Sequence, residues 1–271
     1  MILTYLTLLG LSSFVFAQEK VYQEENLFFE TDTEKQIWDS DQKDPLKLFT
    51  AVKADEVRPE KWEALVQELD EKRLKTKKDL NFLRVLFQKS HQNLLKSYVQ
   101  HSTFNEMLKE GKFDCVSGSA TLGMLLDRYK FDYDIVETDY HVFILVRLDG
   151  KNIILESTLP IGGMITSPSE VQAYLDSYAP VEFAQLGSLT QRLGNSTIDF
   201  SDHAIFRKVS LVELAGLQYY NDAITHFNSQ KFGLASKQLS KALLLYDSER
   251  IKNLRELAIE QAYKVYGYDV K

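Results

Sequence analysis

The sequence predicts an α+β fold in which a cysteine-bearing helix packs on an antiparallel sheet, with further helices before and after it. Three observations predict it. Two β-rich runs, YHVFILVRL at 140–148 and KNIILEST at 151–158, flank Asp149-Gly150, the strongest short hairpin signal. Just upstream, Asp114 is a good N-cap for a stretch of helical spacing that runs to about Arg128. Residues 58–110, and again those from Ser210 onward, repeat their apolar positions at helical intervals.

The chain has 271 residues, 44% apolar and 26% charged, enough for a sizeable core in one large domain or two small ones. A net charge of −7 argues against nucleic acid and anionic membrane surfaces as partners. No P-loop, dinucleotide fingerprint or His/Cys zinc spacing is present, and neither a cofactor nor a metal is expected.

Residues 1–17, MILTYLTLLGLSSFVFA, read as a secretory signal peptide whose apolar core is too short for a comfortable membrane span. Cleavage after Ala17 is expected, so the mature chain would be exported, periplasmic or secreted, with no membrane span. Residues 18–57 read as a polar, irregular segment, apart from a short helix starting at Pro45 after Asp44. From 58 to 110 the pattern is helical. Pro59 opens a helix with Trp62, Leu65, Val66 and Leu69 on one stripe, and Leu80, Leu83, Leu86 or Phe87, Leu94 and Leu95 form a second. Ser102 or Thr103 caps a short helix holding Met107 and Leu108. His91 and His101, on polar stretches, are expected at the surface.

Cys115 is the only cysteine, so an exported chain cannot form an internal disulfide. Two readings stand: a buried, inert thiol, or a nucleophile. The second gains from position. In the first turn of a helix, a thiol feels the positive end of the dipole, which favours thiolate. Taken as a two-residue turn, Asp149-Gly150 pairs Leu148 with Lys151 and sets Phe143 opposite Glu156. His141, Phe143 and Glu156 then share one face, and His141 and Glu156 become diagonal neighbours with Cβ atoms roughly 7 Å apart. A carboxylate so placed holds an imidazole in one tautomer while its other nitrogen faces the thiol. A one-residue slip would put the two on opposite faces. His203 is a competing histidine without a β context. Tyr174, Tyr178 and Phe183 are read as core packing in preference to lining a cleft.

A helix-borne Cys, then His in a strand, then an acid at the end of the next strand resembles the transglutaminase-like superfamily, which has a papain-like core. The residues that carry the resemblance are Gly111-x-x-Asp114-Cys115, His141-Val142-Phe143 and Leu155-Glu156-Ser157-Thr158. Two of them depart from the usual pattern: Glu156 stands where Asp is usual, and Phe143 where Trp is common. The resemblance implies a domain over 58–205 with its core at 111–163, and a catalytic triad of Cys115, His141 and Glu156. It also implies acyl transfer on amide bonds of a peptide or protein substrate, while some members of the superfamily have lost catalysis and serve as binding modules. Residues 216–249 are similar to one tetratricopeptide repeat, with Ala223, Phe232, Ala235 and Ala242 at its small or aromatic positions. Residues 250–263 would cap it. This helical segment, 206–271, is expected to pack on the core, and a protein partner is the alternative. His226 is read as packing or surface.

Overall fold

The computed structural model describes residues 27–56, 58–178 and 206–267. The signal-peptide reading of 1–17, Phe183 and His203 fall outside these residues. The architecture is α+β: a five-stranded antiparallel sheet with helices around it. Among the described residues no helix is long and apolar enough to cross a membrane.

The N-terminal part contains α1 (Asp32–Ser40), α2 (Pro45–Ala51), a 3-10 turn (Ala54–Glu56), α3 (Pro59–Lys75) and α4 (Asp79–Asn93). Thr31 caps α1 by accepting from the Glu34 N–H, and Asp44 caps α2, where Pro45 takes the first position. The expectation of an irregular segment at 18–57 therefore fails at α1. That nonapeptide is mostly polar and leans on one large apolar side chain, Trp38, buried against Tyr219 with ring centroids 5.4 Å apart.

Then come β1 (Ser97–Tyr98), α5 (Phe104–Glu110) and β2 (Lys112–Phe113). Thr103 and Glu106 form a capping box on α5. β1 and β2 pair in parallel, with Tyr98 opposite Phe113. Next is α6 (Cys115–Arg128), followed by β3 (Asp132–Thr138), β4 (Val142–Leu148), β5 (Lys151–Leu155), β6 (Met164–Ile165), α7 (Pro168–Ser177) and β7 (Phe206–Val209). The sheet order is β6-β5-β4-β3-β7. Leu148 pairs with Lys151 and Ile144 with Leu155, the register expected of a two-residue turn. Asp149 and Gly150 have φ of 50° and 71°, as a type I′ turn requires. The strands are shorter than the β-rich runs: Tyr140 and His141 precede β4, and Glu156 follows β5.

The sheet separates two apolar layers. Ile135, Val142, Ile144, Val146, Ile153 and Leu155 face α6 within the main core. Val136, Phe143, Leu145 and Ile154 face Val171 and Leu175 of α7 on the other side. α6 is buried almost all round, which explains its small residues: it runs through the centre of the molecule.

The last described elements are α8 (Leu211–Asn228), α9 (Phe232–Leu245) and α10 (Glu249–Tyr266). Their apolar side chains, Leu214, Ala223, Ala235, Leu239 and Ala242 among them, belong to the same core cluster as α3, α4 and α6. Polar ties reinforce the packing: Gln218 accepts from the Phe104 N–H and donates to the Phe49 carbonyl, at 2.7 and 2.9 Å. Gly216 permits a close helix crossing, because a Cβ there would meet the Tyr246 Cβ at 2.7 Å.

Candidate active site

The sequence-nominated site residues gather at the end of the sheet where β3 turns into β4 and β5 ends. Cys115 is the first residue of α6. Asp114, in extended conformation, caps the helix: its carboxylate accepts from the Ser117 N–H, while the Ser117 hydroxyl accepts from the Asp114 N–H. As a first-turn residue, Cys115 has a backbone N–H free of the helix ladder.

His141 closes the β3–β4 turn. Its carbonyl accepts from the Thr138 N–H at 2.8 Å and its N–H donates to the Thr138 hydroxyl at 3.1 Å. Its Nε2 lies 2.5 Å from Glu156 Oε2. The other Glu156 oxygen accepts from the Thr158 N–H at 2.9 Å and the Thr158 hydroxyl at 2.6 Å. The Tyr174 hydroxyl of α7 donates to Oε2, and the Tyr178 ring stacks on His141, with centroids 5.8 Å apart and planes 17° from parallel. Two residues read from the sequence as core packing thus border the imidazole and its carboxylate. The sequence signal for them was their helical spacing of four on α7, which puts both on one face.

Val142 links the two halves of the site. Its backbone N–H lowers the Cys115 thiol pKa, and its carbonyl accepts from the Ser119 hydroxyl of α6 at 3.2 Å. Behind this junction Gly118 lets α6 approach the segment after Glu156. A Cβ at Gly118 would stand 2.7 Å from Ser157 Oγ and 2.9 Å from its Cβ.

The electrostatics correct one expectation. The thiol is not acidified. Burial, and after it the adjacent Asp114 carboxylate, push the Cys115 thiol up to about 12; the Val142 N–H works in the opposite sense. Desolvation of a thiolate among protein atoms opposes the first-turn dipole. Burial also pushes Asp114 up to about 6, against hydrogen bonds from Ser117, Asn221 and Val116. Burial raises Glu156, but hydrogen bonding and charge interaction with His141, then Thr158 and Tyr174, hold its carboxyl below the ordinary value.

Tyr98, half exposed on β1, borders the same site: burial, and after it the charges of Cys115, Asp114 and Glu156, raise its pKa. His91 departs from its expected surface position. It is buried, its ring 4.6 Å from that of Phe87 and 6.3 Å from that of Phe113, and burial lowers its pKa, which keeps it neutral. Its flanking residues are polar, but the inward face of α4 includes it. Among the described residues a metal-ligand grouping occurs elsewhere, at Glu30, Asp222 and His226.

Chemically, the arrangement offers a soft nucleophile at a helix N-terminus, an imidazole oriented through Nε2, and a carboxylate with three protein donors. No family model, curated protein or solved structure matches the chain.

Proposed function

We propose that this protein is an exported, cysteine-dependent acyl-transfer enzyme acting on amide or peptide bonds, built on a papain-like, transglutaminase-like core. The observation that carries the reading is the 2.5 Å contact between His141 Nε2 and Glu156 Oε2, made next to Val142, whose backbone N–H favours the Cys115 thiolate. The apolar stretch at 1–17 supports export, and the buried Ala223, Phe232, Ala235 and Ala242 support a tetratricopeptide-like hairpin at the C-terminal end.

Cys115 Sγ attacks the carbonyl carbon of the substrate. Burial holds the resting thiol protonated, so His141 takes its proton during the attack and not before it. With Nε2 turned to Glu156, Nδ1 is the nitrogen that accepts the proton. The carbonyl π electrons move to oxygen, and the Cys115 N–H at the start of α6 donates to that oxyanion. Glu156 stabilises the imidazolium. On collapse the C–N bond breaks, His141 returns the proton to the departing amine, and a thioester to Cys115 remains. Water or a second amine then attacks the thioester, His141 again moving the proton, and the thiol is regenerated. The residues suit hydrolysis and transfer equally, and the chemistry calls on no cofactor.

A second reading keeps the fold without catalysis, as a module that binds a protein through its C-terminal helices. It is favoured by the elevated thiol pKa and by Leu257, Tyr263, Val265 and Tyr266, exposed on α10. The two readings part in one experiment. Purified protein is mixed with p-nitrophenyl acetate, and the product is analysed by intact-mass spectrometry and peptide mapping. The enzyme reading expects a burst of nitrophenolate and a single acetyl group on Cys115, both absent from Cys115→Ala. No acetylated Cys115, with nitrophenolate release equal in wild type and Cys115→Ala, would leave the binding reading.

A further inference from the structure

Four polar side chains from three separate segments converge at a point the acyl-transfer chemistry does not use. Glu30 lies just before α1. Asp222 and His226 are one turn apart on α8, the spacing that puts two side chains on one helix face. Gln238 comes from α9. His226 Nε2 is 3.2 Å from Glu30 Oε1 and 3.3 Å from Asp222 Oδ2. The Gln238 amide nitrogen is 2.9 Å from that Glu30 oxygen and 2.8 Å from that Asp222 oxygen.

These separations have a chemical meaning. Four ligands held tetrahedrally at metal–ligand distances of about 2.0–2.1 Å lie roughly 3.3 Å from one another. The His226–Glu30 and His226–Asp222 separations match that edge, and the Gln238 head lies against the same two carboxylate oxygens. An independent observation points the same way. Gln238 is 4% exposed, its head is aimed into the cluster, and its carbonyl Oε1 has no hydrogen-bond partner. Turning the amide by half a rotation puts Oε1 in place of Nε2 beside the two carboxylate oxygens, where it can serve as a ligand to an ion they share.

We propose that Glu30, Asp222, His226 and Gln238 form a site for one divalent transition-metal ion, with Zn2+ the best match, which clamps the segment before α1 onto α8 and α9. One imidazole nitrogen, two carboxylate oxygens and an amide oxygen in four-coordinate geometry suit Zn2+. Ca2+ takes six to eight oxygens and does not fit this set. The two carboxylates balance the charge of the ion. The role is structural: Phe28 packs under the Lys237 ammonium, 3.8 Å from its ring centroid, and Phe29 lies 6.0 Å from Trp38, so fixing Glu30 fixes both rings. No short motif announces the site, because the ligands are brought together from positions 30, 222, 226 and 238. The competing arrangement is a protonated His226 that bridges the two carboxylates with no metal.

The test uses the full chain carrying Cys115→Ala, so that thiol coordination at the candidate active site contributes nothing. Metal-stripped protein is titrated with Zn2+ against a chromophoric chelator, and with Co2+ while visible absorption is followed. The expected result is one Zn2+ per chain and an intense four-coordinate Co2+ spectrum. Affinity should fall by more than roughly tenfold in His226→Ala and in Glu30→Gln, and stay unchanged in His141→Ala. Glu30 is partly exposed, so Glu30→Gln keeps the test valid if His226→Ala fails to fold. No competition with the chelator, a weak six-coordinate Co2+ spectrum, or equal affinity in both variants would overturn the site and leave the protonated His226 bridge.

Discussion

Glu156 holds the His141 ring at 2.5 Å through Nε2 and is itself held by Thr158, whose N–H and hydroxyl reach its other oxygen at 2.9 and 2.6 Å. A carboxylate fixed at both oxygens cannot swing away from the imidazole. Its folded pKa lies below its ordinary value, so its ionised form contributes stability above the ordinary carboxylate pKa, and this is lost as pH falls through the lowered folded value.

Glu156→Gln should therefore leave a folded protein that acylates poorly. The amide cannot stabilise an imidazolium, and with its oxygen kept on the Thr158 donors its nitrogen faces His141 and Tyr174. Acylation of Cys115 by p-nitrophenyl acetate should fall by about 10²- to 10⁴-fold, measured as burst rate beside a circular-dichroism spectrum that is unchanged.

Gly118→Ala should damage the fold and the site together. The added Cβ would press on Ser157 at 2.7–2.9 Å, one residue from Glu156. Overpacking of this kind costs about 1–3 kcal/mol, to be read from urea unfolding. The acylation rate should fall as well, because the displaced segment carries the carboxylate.

Asp114→Asn keeps a capable N-cap and removes the charge beside the thiol. Alkylation of Cys115 by iodoacetamide at alkaline pH should become faster, since the Asp114 carboxylate helps push that thiol up. The folded pKa of Asp114, about 6, lies above its ordinary 3.8. The wild-type protein therefore has this stabilisation in full below pH 4 and loses it as pH rises through 6, roughly 3 kcal/mol in all. Unfolding measured from pH 4 to 7 should show that fall in wild type and a flatter curve in Asp114→Asn.

Glu137→Gln should loosen the C-terminal helices from the sheet. Glu137 on β3 is fully buried and accepts from Arg207 of β7 at 3.0 Å, from Arg250 of α10 and from the Tyr246 hydroxyl. Neutralising it removes the charge that both guanidinium groups face at a partly buried junction, which costs about 1.5–3 kcal/mol. Thermal unfolding and hydrogen exchange along α10 check this.

The parts of the fold legible in the sequence were those set by local chemistry. Asp149-Gly150 fixed the β4–β5 register, and with it the approach of His141 to Glu156. Asp114 marked the start of α6, and Asp44, Pro59 and Thr103 marked three others. What stayed hidden depends on tertiary partners. β1, β2 and β6 have two residues each, too few to show alternation, and β7 is strand only because β3 offers it an edge. α1 is helical because Tyr219, far along the chain, buries Trp38. The first-turn position of Cys115 pointed to an acidic thiol, but burial, which depends on the tertiary fold, pushes it up, and His91 looked like a surface residue because its neighbours are polar.

The most direct measurement of the central claim is the pH dependence of Cys115 acylation by p-nitrophenyl acetate in wild type and in His141→Ala. If His141 is the general base, wild type acylates at neutral pH, and His141→Ala does so only as the thiol itself ionises, toward the value of about 12 set by its surroundings. Superimposable profiles in the two proteins would contradict the account, because the imidazole held by Glu156 would then play no part in activating the thiol.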